Sequence, residues 1–252
     1  MFFKNLSVFQ VTKPIALEGL NEQLKELVIK PISASDSASL GWVRPLGKHG
    51  DQFIHQIGNC AMICMCEDSK ILPASVVKTE LEKRVSRIEA EEHRKCSRKE
   101  RIELKDEITF DLLPRALVKS KVTYAYIDTA NNWIVVDSSS SVVAERLCSL
   151  LRESIGSLAV IPLTAKNLPL HTMTEWVKAN SVDGFDLGIC ASLYSPSEPN
   201  NKARFNDHDL AHLEVQELLH GSMCVSELAL IFEDKAAFKV TEKLTIRQLK
   251  FF

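Results

Sequence analysis

Alternation and helical spacing of apolar residues divide the chain into short strands and amphipathic helices. Residues 3–11 alternate as a strand, and Leu17 to Val28 carries apolar positions at helical spacing. The run Leu40-Gly41-Trp42-Val43-Arg44-Pro45-Leu46-Gly47 reads as a loop, because its glycines and proline argue against regular structure. Phe53 to Ile57 and Asn59 to Glu67 then read as paired strands.

The pattern changes after Ile71-Leu72-Pro73. Between Lys78 and Glu107, 19 of 30 residues are charged and neither Gly nor Pro interrupts them. Val77, Leu81, Val85 and Ile88 keep a narrow apolar stripe, and Leu104, Ile108 and Leu112 form a second one. Ser97-Arg98-Lys99-Glu100 fits a capping box, in which the Ser and Glu side chains each satisfy a backbone N–H of the first turn. The spacing therefore predicts two antiparallel helices over 74–95 and 98–112, projecting as a hairpin, with one continuous helix as the alternative. Pro114 ends the second helix in either case.

Val122 to Ile127 and Trp133 to Asp137 alternate as strands around the turn pair Asn131-Asn132. Ser141 is expected to cap a helix that runs to Ile155 and stops at Gly156. A short strand spans Leu158 to Leu163, and Thr172-Met173-Thr174-Glu175 reads as a second capping box opening a short helix through Trp176. The turn-rich run from Tyr194 to Asn201 is expected to be a mobile loop. A helix near Asp209 to His220 and strands near 223–232, 236–240 and 245–251 complete the chain. The fold class is thus α+β, with mixed or antiparallel sheets, packed helices and the projecting charged hairpin.

Composition narrows the function classes. Hydrophobic residues at 45% and charged residues at 25% are ordinary for a globular core. The first residues lack the pattern of a signal peptide, and no apolar run reaches the roughly 18 residues of a membrane span. A cytoplasmic protein is expected. None of the seven cysteines forms a Cys-x-x-Cys pair, and Cys60, Cys64 and Cys66 share one strand face, which fits buried reduced thiols better than zinc. No P-loop, dinucleotide fingerprint, His-Glu-x-x-His or Gly-x-Ser-x-Gly is present. His208 and His212 stand four apart beside Asp207, Asp209 and Glu217, yet no third ligand spacing accompanies them. Ordinary histidines at a solvated helix start are expected. Asp128 and Asp137 flank the Asn-Asn turn, where capping explains them more simply than a catalytic pair. The expectation is no enzyme, no cofactor, no metal and no small-molecule substrate.

Charge distribution carries the positive signal. The net charge of −2 hides a segment, 78–121, with 13 Lys or Arg against 10 Asp or Glu, a local net of +3 against −5 elsewhere. Arg94, Lys95, Arg98, Lys99 and Arg101 fall within eight residues, opposed only by Glu100, and Arg115, Lys119 and Lys121 follow Pro114. Such clustering favours phosphate contacts, which give sequence-independent, salt-sensitive affinity through counterion release. No aromatic residue interleaves with the bases, so a duplex backbone is a better ligand than stacked single-strand bases. A protein-interaction scaffold, with the charged hairpin docked on a partner helix, is the competing reading. A nuclease would need clustered carboxylates that the sequence does not display.

Taken as a set, the motifs resemble the RdgC (recombination-associated) family. They are Phe3-Lys4-Asn5-Leu6, Gly41-Trp42-Val43 with Pro45 and Gly47, Ile71-Leu72-Pro73, Glu89-Ala90-Glu91, Leu104-Lys105-Asp106-Glu107 and Leu112-Leu113-Pro114-Arg115-Ala116. Ile127-Asp128-Thr129, Leu150-Leu151-Arg152, Gly156-Ser157-Leu158 with Pro162-Leu163, and Thr174-Glu175-Trp176-Val177 continue the series. The resemblance implies a two-fold homodimer closed into a ring around double-stranded DNA, with little sequence preference. It further implies association with the nucleoid and restraint of the RecA recombinase by occupying the duplex. Residues 1–73 with 122–178 would form a central domain, 74–121 a helical tip, and 179–252 a base domain shorter than the family's. Arg94, Lys95, Lys99, Arg115 and Lys119 would line the hole. The aromatic that the family carries after the proline is Ser120 here, and relatives continue with a further acidic helical segment.

Overall fold

The computed structural model describes residues 3–252. Its elements run β1 (Ser7–Val11), α1 (Leu20–Glu26), β2 (Ala38–Trp42), β3 (Ile54–Ile57), β4 (Cys60–Ile71), α2 (Ala74–Glu92), α3 (Arg98–Leu112), β5 (Leu117–Asp128) and β6 (Trp133–Val136). They continue with α4 (Ser141–Ile155), β7 (Val160–Pro162), α5 (Pro169–Ala179), β8 (Asp186–Tyr194), β9 (Lys202–Asn206), α6 (Leu213–His220), β10 (Cys224–Phe232), β11 (Ala236–Thr241) and β12 (Ile246–Phe251). One sheet has the order β2-β4-β5-β6-β1-β7 with β3 added beside β4, and the other has the order β12-β11-β10-β8-β9. The α+β class read from the sequence is the fold observed.

The chain divides into two compact units. One comprises residues 1–20, 55–62 and 123–252; the other comprises 21–54 and 63–122. In the first unit, β1 lies between β6 and β7 with antiparallel register, Phe9 facing both Ile134 and Pro162. Asp137 secures the strand's approach by accepting the backbone N–H groups of Lys4 and Asn5 at 3.1 and 3.0 Å. The five-stranded sheet buries Leu193, Val225, Leu228 and Leu230 against Met173 and Val177 of α5 and Val215 and Leu219 of α6. Thr174 pins α5 to this sheet, its hydroxyl accepting the Val225 N–H at 2.9 Å and donating to the Leu170 carbonyl at 2.7 Å.

The second unit depends on a close backbone approach. Residues 40–47 are not all loop: Ala38–Trp42 forms β2, antiparallel to β4 with Gly41 opposite Cys66. Gly41 marks a strand here because a side chain would collide, its Cβ falling 2.3 Å from the Ile29 nitrogen. That approach lets Trp42 donate to the Leu27 carbonyl at 2.8 Å and accept the Ile29 N–H at 3.1 Å. Trp42 is fully buried, as are Ile63 and Met65 on β4. Cys64 and Cys66 are also buried, so the middle of β4 is covered on both faces.

Several boundaries differ from the sequence reading. The first charged helix ends at Glu92 rather than 95, because His93 adopts left-handed φ 52°. β5 starts at Leu117, five residues before the apolar alternation begins, since 117–122 pairs while exposed. Ser140, not Ser141, is the N-cap of α4, and it caps without a side-chain bond. α5 begins at Pro169, so Thr172 lies inside it and its hydroxyl donates to the Leu168 carbonyl at 3.2 Å instead of capping. Proline at the first helical position lacks only an N–H that would have no partner there, and this outweighed the Thr-x-x-Glu signal.

Candidate nucleic-acid interface

α2 and α3 are amphipathic with thin apolar stripes. Val77, Val85 and Ile108 are buried, and Leu81, Ile88, Leu104 and Leu112 are half-buried. Arg84 of α2 reaches Asp111 at 3.1 Å and Glu107 at 3.5 Å on α3, so the two helices run side by side in opposite directions. Other charges pair within one helix, as in Lys78–Glu82, Lys83–Glu80 and Lys99–Glu103.

The link between the helices is built by two acids. Glu89 accepts the Cys96 N–H at 3.0 Å, and Glu100 accepts the Ser97 N–H at 2.7 Å while the Ser97 hydroxyl accepts the Glu100 N–H at 3.3 Å. The expected capping box is therefore present, and α3 starts at Arg98. Arg94 joins it: its guanidinium donates to Glu100 at 2.6 and 3.0 Å and to Glu92 at 2.6 Å. The Arg94 bonds and the backbone of Ser97 hold the Glu100 carboxyl down at about 2, and Arg94 is itself pushed above the usual arginine value by Glu100 and Glu92.

Eight residues were singled out from the sequence, and the structure sorts them into three kinds. Arg94 is occupied as the clasp of the link, so its charge is already neutralised. Lys95 in the link and Arg98, Lys99 and Arg101 in the first turn of α3 are exposed together at one end of the helix pair. Only Lys99 of these has a carboxylate within reach, Glu103 at 3.8 Å. Arg115, Lys119 and Lys121 lie beyond the other end of α3, which is about 21 Å long from Arg98 to Leu112 at 1.5 Å per residue. Lys119 and Lys121 share parity on the exposed first half of β5 and so face one side. Among the described residues no ion pair engages Lys95, Arg98, Arg101, Arg115, Lys119 or Lys121.

Cations at a helix N-terminus oppose the positive end of the macrodipole. Arg98, Lys99 and Arg101 therefore concentrate positive potential there, with Glu100 engaged by Arg94 and Glu103 reaching Lys99 alone, and a bound anion would relieve that repulsion. A cluster missed from the sequence lies between the bases of the helices. Lys78 and Lys105 line a groove of about 640 Å³ with Lys70, Leu72, Val77 and Leu81. Their separation of 27 residues hid the proximity, which only antiparallel pairing of the two stripes would have revealed. Phe110, Leu117 and Val118 are exposed apolar neighbours in sequence of the second basic group, Leu117 at 78%.

The whole chain, residues 1–252, matches the family model described as "Putative exonuclease, RdgC". It is 40% identical over 254 residues to the recombination-associated protein RdgC of Shewanella loihica and 37% identical to that of Psychromonas ingrahamii. The corresponding Yersinia enterocolitica protein is 35% identical, and each alignment covers all of this chain and 84% of the relative. The relatives' shared name associates them with recombination and names no enzymatic activity. No helix among the described residues is long and apolar enough to cross a membrane.

Proposed function

The chain belongs to the RdgC family, and from that premise we propose that it binds double-stranded DNA without sequence preference and thereby regulates homologous recombination. The observation that carries this reading is the set of exposed cations at the two ends of α3, of which Lys99 alone has an ion-pair partner among the described residues. The length of α3 that separates them, about 21 Å, compares with roughly six base-pair rises of 3.4 Å along a duplex axis. In this reading Lys95, Arg98, Lys99 and Arg101 contact one stretch of backbone and Arg115, Lys119 and Lys121 another. Arg94 holds the first group in register. Two copies close around the duplex in the nucleoid and limit access of the RecA recombinase by occupying it.

The exposed apolar side chains Phe110, Leu117 and Val118 support a protein contact as well as a nucleic-acid one, and a second copy of the chain fits the dimer. They also favour the scaffold reading, in which the charged helices hold a different protein and DNA affinity is negligible. The function acts by occupancy rather than cleavage. Neither basic group includes a cluster of carboxylates able to hold the paired metal ions of a nuclease, and Asp128 spends its oxygens on Ala130 and Asn131 of the turn.

A fluorescent duplex of arbitrary sequence, titrated through a salt series with sedimentation on the same sample, tests the proposal. A dimer whose affinity is the same for unrelated sequences and falls steeply with salt is the expected result. A protein without affinity at low salt would overturn DNA binding. Shortening of an end-labelled duplex in magnesium or manganese would overturn occupancy as the sole mode of action.

A further inference from the structure

The segment leading into α6 collects three metal-binding side chains, and it belongs wholly to the first unit. Asp207 takes a left-handed φ of 55° and turns the chain out of β9. The His208 N–H then donates to the Ile189 carbonyl of β8 at 2.9 Å, which anchors the loop to the sheet. Asp209 closes a turn by accepting the Ala211 N–H at 2.9 Å on its carboxylate and the His212 N–H at 3.1 Å on its carbonyl. His212 consequently stands at the N-cap of α6, without a side-chain capping bond, and Glu214 in the first helical turn. The two histidines do not share a helix face, as their spacing had suggested; the turn brings them together instead.

The result is a cluster in which one donor atom each from His208, His212 and Glu214 lies within 4.8 Å of the others. The His208 ring packs 5.3 Å from Phe205 and 5.4 Å from His212, the latter edge-on. Its Nε2 is closed off from solvent and has no hydrogen-bond partner, so the fold itself does not use this nitrogen. Glu214 is the third donor that the sequence spacing did not disclose.

We propose that His208, His212 and Glu214 bind one divalent d-block cation, with zinc the best match and water completing the shell. Two imidazoles and one carboxylate are borderline donors suited to such ions, whereas magnesium and calcium require oxygen-rich shells. Tetrahedral zinc with bonds of 2.0–2.1 Å sets its donors about 3.3 Å apart, so the cluster must contract. His212 and Glu214 are exposed and can do so by rotation, while His208 is held by the sheet and Phe205. The Glu214 carboxylate offsets the repulsion between a cation and the N-terminal end of α6. A bound ion would tie the end of β9 to α6. This inference stands independently of DNA binding.

The test uses the full chain after dialysis against a chelator, titrated with cobalt(II) and then zinc. Stoichiometric visible d–d bands of tetrahedral cobalt, no thiolate-to-cobalt band in the near ultraviolet, and displacement by zinc with a rise in Tm are expected. His212→Gln and Glu214→Gln, at exposed positions that leave the fold intact by circular dichroism, should each weaken cobalt binding about ten-fold or more. Absence of cobalt bands in the wild-type chain would overturn the proposal. So would a thiolate band placing the ion on cysteine, or variants that bind as the wild type does.

Discussion

Replacing Arg98 and Arg101 together with glutamine removes two exposed cations that have no protein partner, while leaving the Arg94–Glu100 clasp in place. If Lys95, Arg98, Lys99, Arg101, Arg115, Lys119 and Lys121 of each copy each neutralise one phosphate, the slope of log K against log salt is about −6 per copy. Affinity should then fall by roughly four decades per contributing copy between 50 and 200 mM salt. The double variant loses two of those contacts, so its slope should flatten by about 2 per copy, equally on unrelated duplexes. Arg94→Gln is the control, removing one formal charge where the double variant removes two. Because Glu92 and Glu100 already neutralise Arg94, its slope should stay near the wild-type value while the link between α2 and α3 loosens. Fluorescence anisotropy at five or six salt concentrations measures all three. A double variant with the wild-type slope, or an Arg94 variant that flattens it as much per charge, would refute the division into free and committed cations.

Three further outcomes follow from the geometry. Gly41→Ala sets a methyl group 2.3 Å from the Ile29 backbone and should cost about 3 kcal/mol in denaturant unfolding; an unchanged midpoint would show that the two segments separate freely. Glu100, held at about 2 in the fold against an ordinary 4.5, contributes stability that is full above pH 4.5 and is lost as pH falls towards 2. Carboxyl NMR should show its midpoint well below 4.5, and an ordinary midpoint would remove Arg94 from the clasp. Burial pushes the Cys148 thiol up to about 12, and burial with Asp68 pushes Cys66 to about 11. Both should therefore resist iodoacetamide at pH 8 in the native chain and react once it is unfolded, with rapid native labelling at either site the contrary result.

Local signals served best where one short motif determines the backbone. Ser97 and Glu100 make the capping box that their spacing announces, Gly156 stops α4 with φ 77°, and Asn132 takes the positive φ of 59° that its turn requires. The signals failed where a distant partner decides. Gly41 reads as a loop residue until the Ile29 backbone is seen against it, and the alternation starts the strand at Val122 although pairing, which needs no apolar alternation, begins at Leu117. The charged cluster was legible as a cluster, but not its internal division. Arg94 looks like its neighbours in sequence, and only the turn at His93 brings it to Glu92 and Glu100 together. Glu214 was passed over for a related reason: a left-handed Asp207, not a helical period, sets which residues meet His208.

The omission of a side chain at Gly41 also bears on how this chain avoids sticking to its own kind. β2 is the terminal strand of its sheet, the position from which a bare row of N–H and C=O groups can recruit a foreign strand and seed aggregation. Residues 27–30 occupy part of that edge: Leu27 and Ile29 take up both backbone groups of Trp42, and the Lys30 carbonyl accepts the Ser39 hydroxyl at 2.7 Å. Any larger residue at Gly41 would lift this cover away. The glycine therefore keeps the end of this edge at Trp42 closed to a foreign strand as well as admitting the native packing.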